Sequence, residues 1–160
     1  MKNLFFFLSI LFITSASAQQ PSACGTLLED ISAGTIEELG AEYRRLKSYS
    51  NPYCDTTDSD FNKIMNELAK KLVASKSSSE AIIAQLETPY FQGTLAEYEG
   101  KKVSVGRDGK MVGLILPPQF KIPAGEYYVV YLWRNQDYLV FALKANKASE
   151  FRWWEKGNYR

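Results

Sequence analysis

The 160-residue chain contains no histidine. That absence removes the commonest general base and the commonest transition-metal ligand together. Cysteine is scarce, with only Cys24 and Cys54. The usual Ser–His and Cys–His nucleophile pairs, and zinc sites built on histidine and thiolate, are therefore excluded. An excess of charge is missing as well: 19 Lys and Arg stand against 18 Asp and Glu. So balanced a chain offers no cationic groove for phosphates, which argues against nucleic acid. It also has no block of like charge aimed at an oppositely charged partner. Arg44-Arg45, Lys70-Lys71 and Lys101-Lys102 read as solvated surface. No internal repeat is visible, and Ser75–Ser79 is the one low-complexity break.

Long apolar runs are absent except at the start, where the chain reads MKNLFFFLSILFITSASAQQ. Lys2, the run Leu4–Ile13 and the small residues Ala16-Ser17-Ala18 have the three-part layout of a secretory signal, predicted to span 1–18. The run is too short for a bilayer, which needs about 20 apolar residues. No membrane span is expected after cleavage, and the expected location is periplasmic or secreted. Lipidation at Cys24 is disfavoured by Pro21 and by the distance of Cys24 from the apolar run. Removing Lys2 from the 19 basic residues leaves 18 against 18 acidic ones. The remaining 19–160 stretch is long enough for one domain with a real core. In an oxidising compartment its two cysteines are most economically one disulfide, Cys24–Cys54.

The helical signals lie in 19–89. Leu27, Leu28 and Ile31 suggest a brief helical turn in the N-terminal lead. Thr35-Ile36-Glu37-Glu38 is a capping box, and Ile36, Leu39, Tyr43 and Leu46 follow at helical spacing, ending before Asn51-Pro52. A second helix is predicted after the N-caps Thr57-Asp58-Ser59, with Phe61, Ile64, Met65, Leu68 and Leu72 on one face. Its opposite face carries Lys63, Glu67, Lys70 and Lys71, with Glu67 and Lys71 at a favourable spacing. A core-facing helix suits this pattern better than a membrane-surface one. A third, short helix runs from Glu80 to about Leu86 behind a Ser77/Glu80 capping box, and Thr88-Pro89 closes it.

From Tyr90 the periodicity changes to strands. Lys102–Gly106 and Lys110–Leu116 form a predicted hairpin around Arg107-Asp108-Gly109. Gly106, Gly109 and Gly113 lack the spacing and the lysine of a phosphate loop. Residues 126–157, EYYVVYLWRNQDYLVFALKANKASEFRWWEKG, hold all three tryptophans and read as a three-stranded antiparallel meander. In its first run Tyr127, Val129, Tyr131 and Trp133 point one way, and Tyr128, Val130 and Leu132 the other. A strand apolar on both faces is covered on both sides or exposes a functional patch. One of Trp153 and Trp154 must face away from the core side. The expected class is α+β: two to three N-terminal helices on an antiparallel sheet of about five strands.

No catalytic motif, metal site or cofactor signature emerges. Ser75-Lys76 and Ser104 have no context for a serine–lysine dyad. Among Glu97, Glu99, Asp108, Asp137, Glu150 and Glu155 no spacing marks out an acid–base pair. Asp55, Asp58 and Asp60 lack the glycine and terminal glutamate of an EF-hand. What stands out is aromatic. Tyr131, Trp133, Arg134, Asp137, Tyr138, Arg152 and Trp154 form the candidate binding patch, because rigid amphipathic rings interleaved with charges are typical of binding hot spots. The expected partner is a protein of the envelope or exterior. The competing reading is a glycan, held by a carbohydrate-binding module or a carboxylate-based hydrolase.

The segment Ser79–Pro89, SEAIIAQLETP, followed by Tyr131-Leu132-Trp133 and the run Phe141–Lys147, FALKANK, resembles small exported domains of the SmpA/OmlA and β-lactamase-inhibitor-protein-like (BLIP-like) type. Those carry a short helix ending in leucine-glycine-x-proline, then an antiparallel meander. Here Glu87 replaces the glycine, and Ala145-Asn146-Lys147 replaces aspartate-glycine-lysine. The likeness covers about Ser77–Gly157. It implies a non-enzymatic envelope domain that works through its sheet, and it supplies no catalytic residues.

Overall fold

A computed structural model describes residues 25–48, 59–100, 104–105, 111–112, 123–134, 137–155 and 158–159. The predicted signal segment, Cys24 and Cys54 lie outside these residues, as do Asn51-Pro52, the Asp55 and Asp58 positions and the Arg107-Asp108-Gly109 turn.

The predicted caps nucleate the helices. Thr35 and Glu38 satisfy each other's backbone donors, at 2.8 and 3.2 Å, at the start of α1 (Ile36–Ser48). Ser59 caps α2 (Asp60–Ala74) by accepting from the Asn62 amide. For α3 (Ser79–Leu86) the cap is Ser78, which accepts from the Ala81 amide, one residue later than the Ser77/Glu80 box implies. Glu80 is drawn instead to Asn146, whose Nδ2 donates to it at 3.2 Å. Glu67 also differs from expectation: it pairs with Lys70 at 2.6 Å rather than with Lys71. The 25–34 lead is a series of bends and turns, not a helix. Burial raises the Glu42 carboxyl, but Arg45 and the Leu27 amide, 2.6 Å away, outweigh it and hold it low. These bonds tie the lead to α1 side by side, leaving no need for a helical turn.

Beyond α3 come β1 (Phe91–Thr94), a short α4 (Leu95–Gly100), β2 (Ser104–Val105), β3 (Met111–Val112), β4 (Tyr127–Arg134), β5 (Asp137–Lys144), β6 (Lys147–Glu155) and β7 (Asn158–Tyr159). The sequence pattern does not predict α4. Thr94 and Glu97 form its capping box, at 2.7 and 3.3 Å, and its 6 residues are too few for apolar periodicity to show. The main sheet has five strands in the order β1-β4-β5-β6-β7, every neighbouring pair antiparallel. The β2–β3 hairpin forms a separate two-stranded sheet, so the fifth strand is not taken from it. This is an α+β fold, with three helices ahead of an antiparallel sheet.

Side chains divide by strand alternation. Val129, Tyr131, Trp133, Leu139, Phe141, Leu143 and Trp153 join Leu39, Tyr43, Ile64, Leu68, Leu72, Ile82 and Leu86 of the helices in the main core. Tyr43 and Phe61 stack at 5.3 Å, joining α1 to α2. The other face carries a second buried cluster of Phe91, Tyr128, Val130, Tyr138, Val140, Ala142 and Trp154. β5 is thus buried on both faces along Asp137–Leu143. Among the described residues no helix is long and apolar enough to cross a membrane.

Candidate functional site

The seven residues expected to form one aromatic patch do not share a surface. Tyr131 and Trp133 lie on the helix-covered face, where Trp133 meets Trp153 edge-on at 5.5 Å. The Tyr131 hydroxyl donates to the Glu87 carbonyl at 3.1 Å, and burial pushes its ionisation up. Tyr138 and Trp154 point the opposite way, into the second cluster. The correction follows from the two-residue period of a strand: successive positions face opposite sides, and Tyr138 and Trp154 stand in register with Leu132, one residue away from Tyr131 and Trp133. Nor are the rings open. Trp133 and Trp154 are each 8% exposed, and Tyr131 and Tyr138 are more deeply buried. Asp137 is buried at the start of β5, in register with Arg134, whose side chain lies outside the described set. Arg152 alone among the described members is exposed.

What the second face does assemble is a row across three strands. Leu132 of β4 is in register with Tyr138 of β5, and Tyr138 with Trp154 of β6. The Tyr90 ring lies 5.7 Å from Tyr138. Burial, then Tyr90 and Asp137, push the Tyr138 hydroxyl up to about 12, so it stays a neutral hydrogen-bonding group at physiological pH. One step along β6, Arg152 donates to Glu150 at 2.6 Å. Leu132 is 42% exposed, the large apolar side chain that the described part of the main sheet leaves most open to water. Leu132 on β4 and the Arg152–Glu150 pair two strands away on β6 are apolar and charged points of the kind found in the core and rim of a protein interface. The three indoles are buried, so none of them offers the open platform on which a sugar ring stacks.

Two features are not evident from sequence reasoning. Leu132 sits in an apolar run, and nothing in its neighbours marks it as the one exposed. Glu87 takes φ 61° and ψ −157°, a region that only glycine occupies without strain. Among the described residues no group of three or more Cys, Asp or Glu is arranged to hold a metal ion. No protein-family model, curated protein or solved structure matches this chain.

Proposed function

We propose that this chain is an exported, non-enzymatic binding or assembly protein whose partner is another protein of the envelope or exterior. The partner would meet the sheet on the side away from the helices, over Leu132, with the buried Tyr138 and Trp154 on the two strands alongside and Arg152 and Glu150 as a polar rim. The observation that carries this reading is the exposure of Leu132 at 42%, in register with the buried Tyr138. An exposed apolar side chain with a charged pair at its periphery has the centre-and-rim composition of a small interface. Export rests on the signal-like first 18 residues, and Cys24–Cys54 would be its covalent staple. The glycan alternative is weakened by the burial of Trp133, Trp153 and Trp154, since a stacking platform has to be open.

The test is a double substitution, Leu132→Asp with Arg152→Glu, both at exposed side chains. Co-purification of a defined envelope protein with the mature chain should be lost while the thermal midpoint stays within a few degrees. Retention of that partner by the folded double variant would remove this face from consideration. Finding the protein only in the cytoplasm, with residues 1–18 intact, would remove the export half of the reading.

A further inference from the structure

Glu87 stands at a joint. It caps the C-terminus of α3 and begins the short connection to β1, the outermost strand on one side of the main sheet. At φ 61° and ψ −157° an L-residue is strained, and such strain persists only where surrounding contacts over-determine the backbone. Two contacts do so here. Lys47 holds the Glu87 carboxylate at 2.9 Å, and the buried Tyr131 hydroxyl holds its carbonyl at 3.1 Å. The first is an exposed ion pair, weak in water.

The segment beyond the joint runs along the edge of the described sheet. Among the described strands β1 pairs with β4 alone, along Tyr127–Val130, and the Tyr90 amide extends that ladder by one bond to Val130 at 2.8 Å. The Thr94–Glu97 capping box closes its far end locally. By contrast β5 pairs with β4 on one side and β6 on the other along almost its full length. Yet the segment covers something: Tyr90 lies on Tyr138, and Phe91 belongs to the second buried cluster.

We propose that Glu87 is the hinge of a strap, Glu87–Thr94, which leaves the sheet edge as a unit while the helices and the β4–β5–β6 meander stay folded. Release relaxes Glu87 into ordinary backbone space, so the closed state carries a built-in bias toward opening. It bares the β4 backbone along Tyr127–Val130, a template for an added extended segment, and uncovers Tyr138. The strap is held by its own contacts, and its release does not depend on the Leu132 surface.

Amide hydrogen exchange on the full chain tests it, with Glu87→Ala and Glu87→Gly compared. Both variants lose the Lys47 ion pair equally, and only the glycine also loses the strain. In the wild type, strap amides should exchange about tenfold or more faster than those of Val140–Leu143 in β5, as expected of a sub-global opening. Strap exchange should be roughly threefold to thirtyfold slower in Glu87→Gly than in Glu87→Ala, once glycine's extra freedom in the released strap is set against the relieved strain. Equal protection of strap and β5 in every variant would overturn the hinge. So would strap exchange that ignores the alanine-to-glycine change while β5 responds to it.

Discussion

Trp153 and Trp154 are consecutive in β6 and lie on opposite sides of the sheet. Trp153 packs edge-on against Trp133, and its Nε1 donates to Asn66 of α2 at 3.3 Å. Trp154 is in register with Tyr138 in the second cluster. Neither is more than 8% exposed. The two indoles that look in sequence like one sticky dipeptide therefore serve two separate cores.

Alanine at Trp133 or Trp153 should lower stability by about 3–5 kcal/mol, the range for removing a buried aromatic side chain. Urea titration followed by far-ultraviolet circular dichroism measures it. A variant that lost a partner but kept its midpoint would place these rings at the surface instead.

Acid should loosen the link between α3 and the β5–β6 turn. Hydrogen bonds from Ser78 first, then from the Glu80 backbone, Asn146 and Ser79, lower the Glu80 carboxyl from 4.5 to about 2. A carboxyl held lower in the folded than in the unfolded chain contributes stability above about 4.5, which is lost as pH falls toward 2. Glu80→Gln should therefore flatten that part of the stability–pH curve while leaving the neutral end lower. An unchanged acid limb in the variant would mean that the bonds to Ser79 and Asn146 do not persist in solution.

Gly125 lies against the sheet so closely that a Cβ there would meet the Ala142 Cβ at 2.9 Å and the Leu143 amide nitrogen at 3.3 Å. These are parts of a central strand and cannot swing away. Gly125→Ala should cost about 1–3 kcal/mol, as overpacking does, and pairing it with Ala142→Gly should recover part of the loss. A neutral Gly125→Ala variant in thermal denaturation would contradict this approach distance.

Mass analysis of the intact mature protein should show two fewer hydrogens than the reduced chain, with Cys24 and Cys54 in one linked peptide. Reduction should lower stability by about 3–4 kcal/mol in the chain-entropy model. Free thiols in freshly purified exported protein would refute the pairing.

Helices and the central meander were legible because their signals are local and repeated. Thr35/Glu38 and Ser59 announce caps, and Leu39, Tyr43, Leu68 and Leu72 recur at helical spacing and are buried as that spacing predicts. Alternation also sorts Tyr127–Trp133 into two faces correctly. Exposure was not legible. Whether Trp154 or Leu132 meets water depends on what the rest of the chain lays over the second face, and alternation carries no information on that. The β1 strand is hidden because four residues containing Gly93 show no strand pattern, and its partner, β4, is more than thirty residues distant. Ser77 loses the α3 cap to Ser78 because three consecutive serines offer equivalent hydroxyls; tertiary contact with Asn146 settles the frame.

The double-sided burial of β5 has a consequence for biosynthesis. The apolar stripes of α1, α2 and α3 are complete once residue 86 is made, but the strands that cover them span 127–155. At about 5–20 residues per second, the ribosome leaves those helices uncovered for several seconds. Tyr138–Leu143, with no hydrophilic side of its own, is equally unprotected until β6 emerges behind it. A chain ordered in this way cannot mature piecemeal as it is translated. Its helices have to be kept apart from neighbouring chains until β6 has followed β4 and β5.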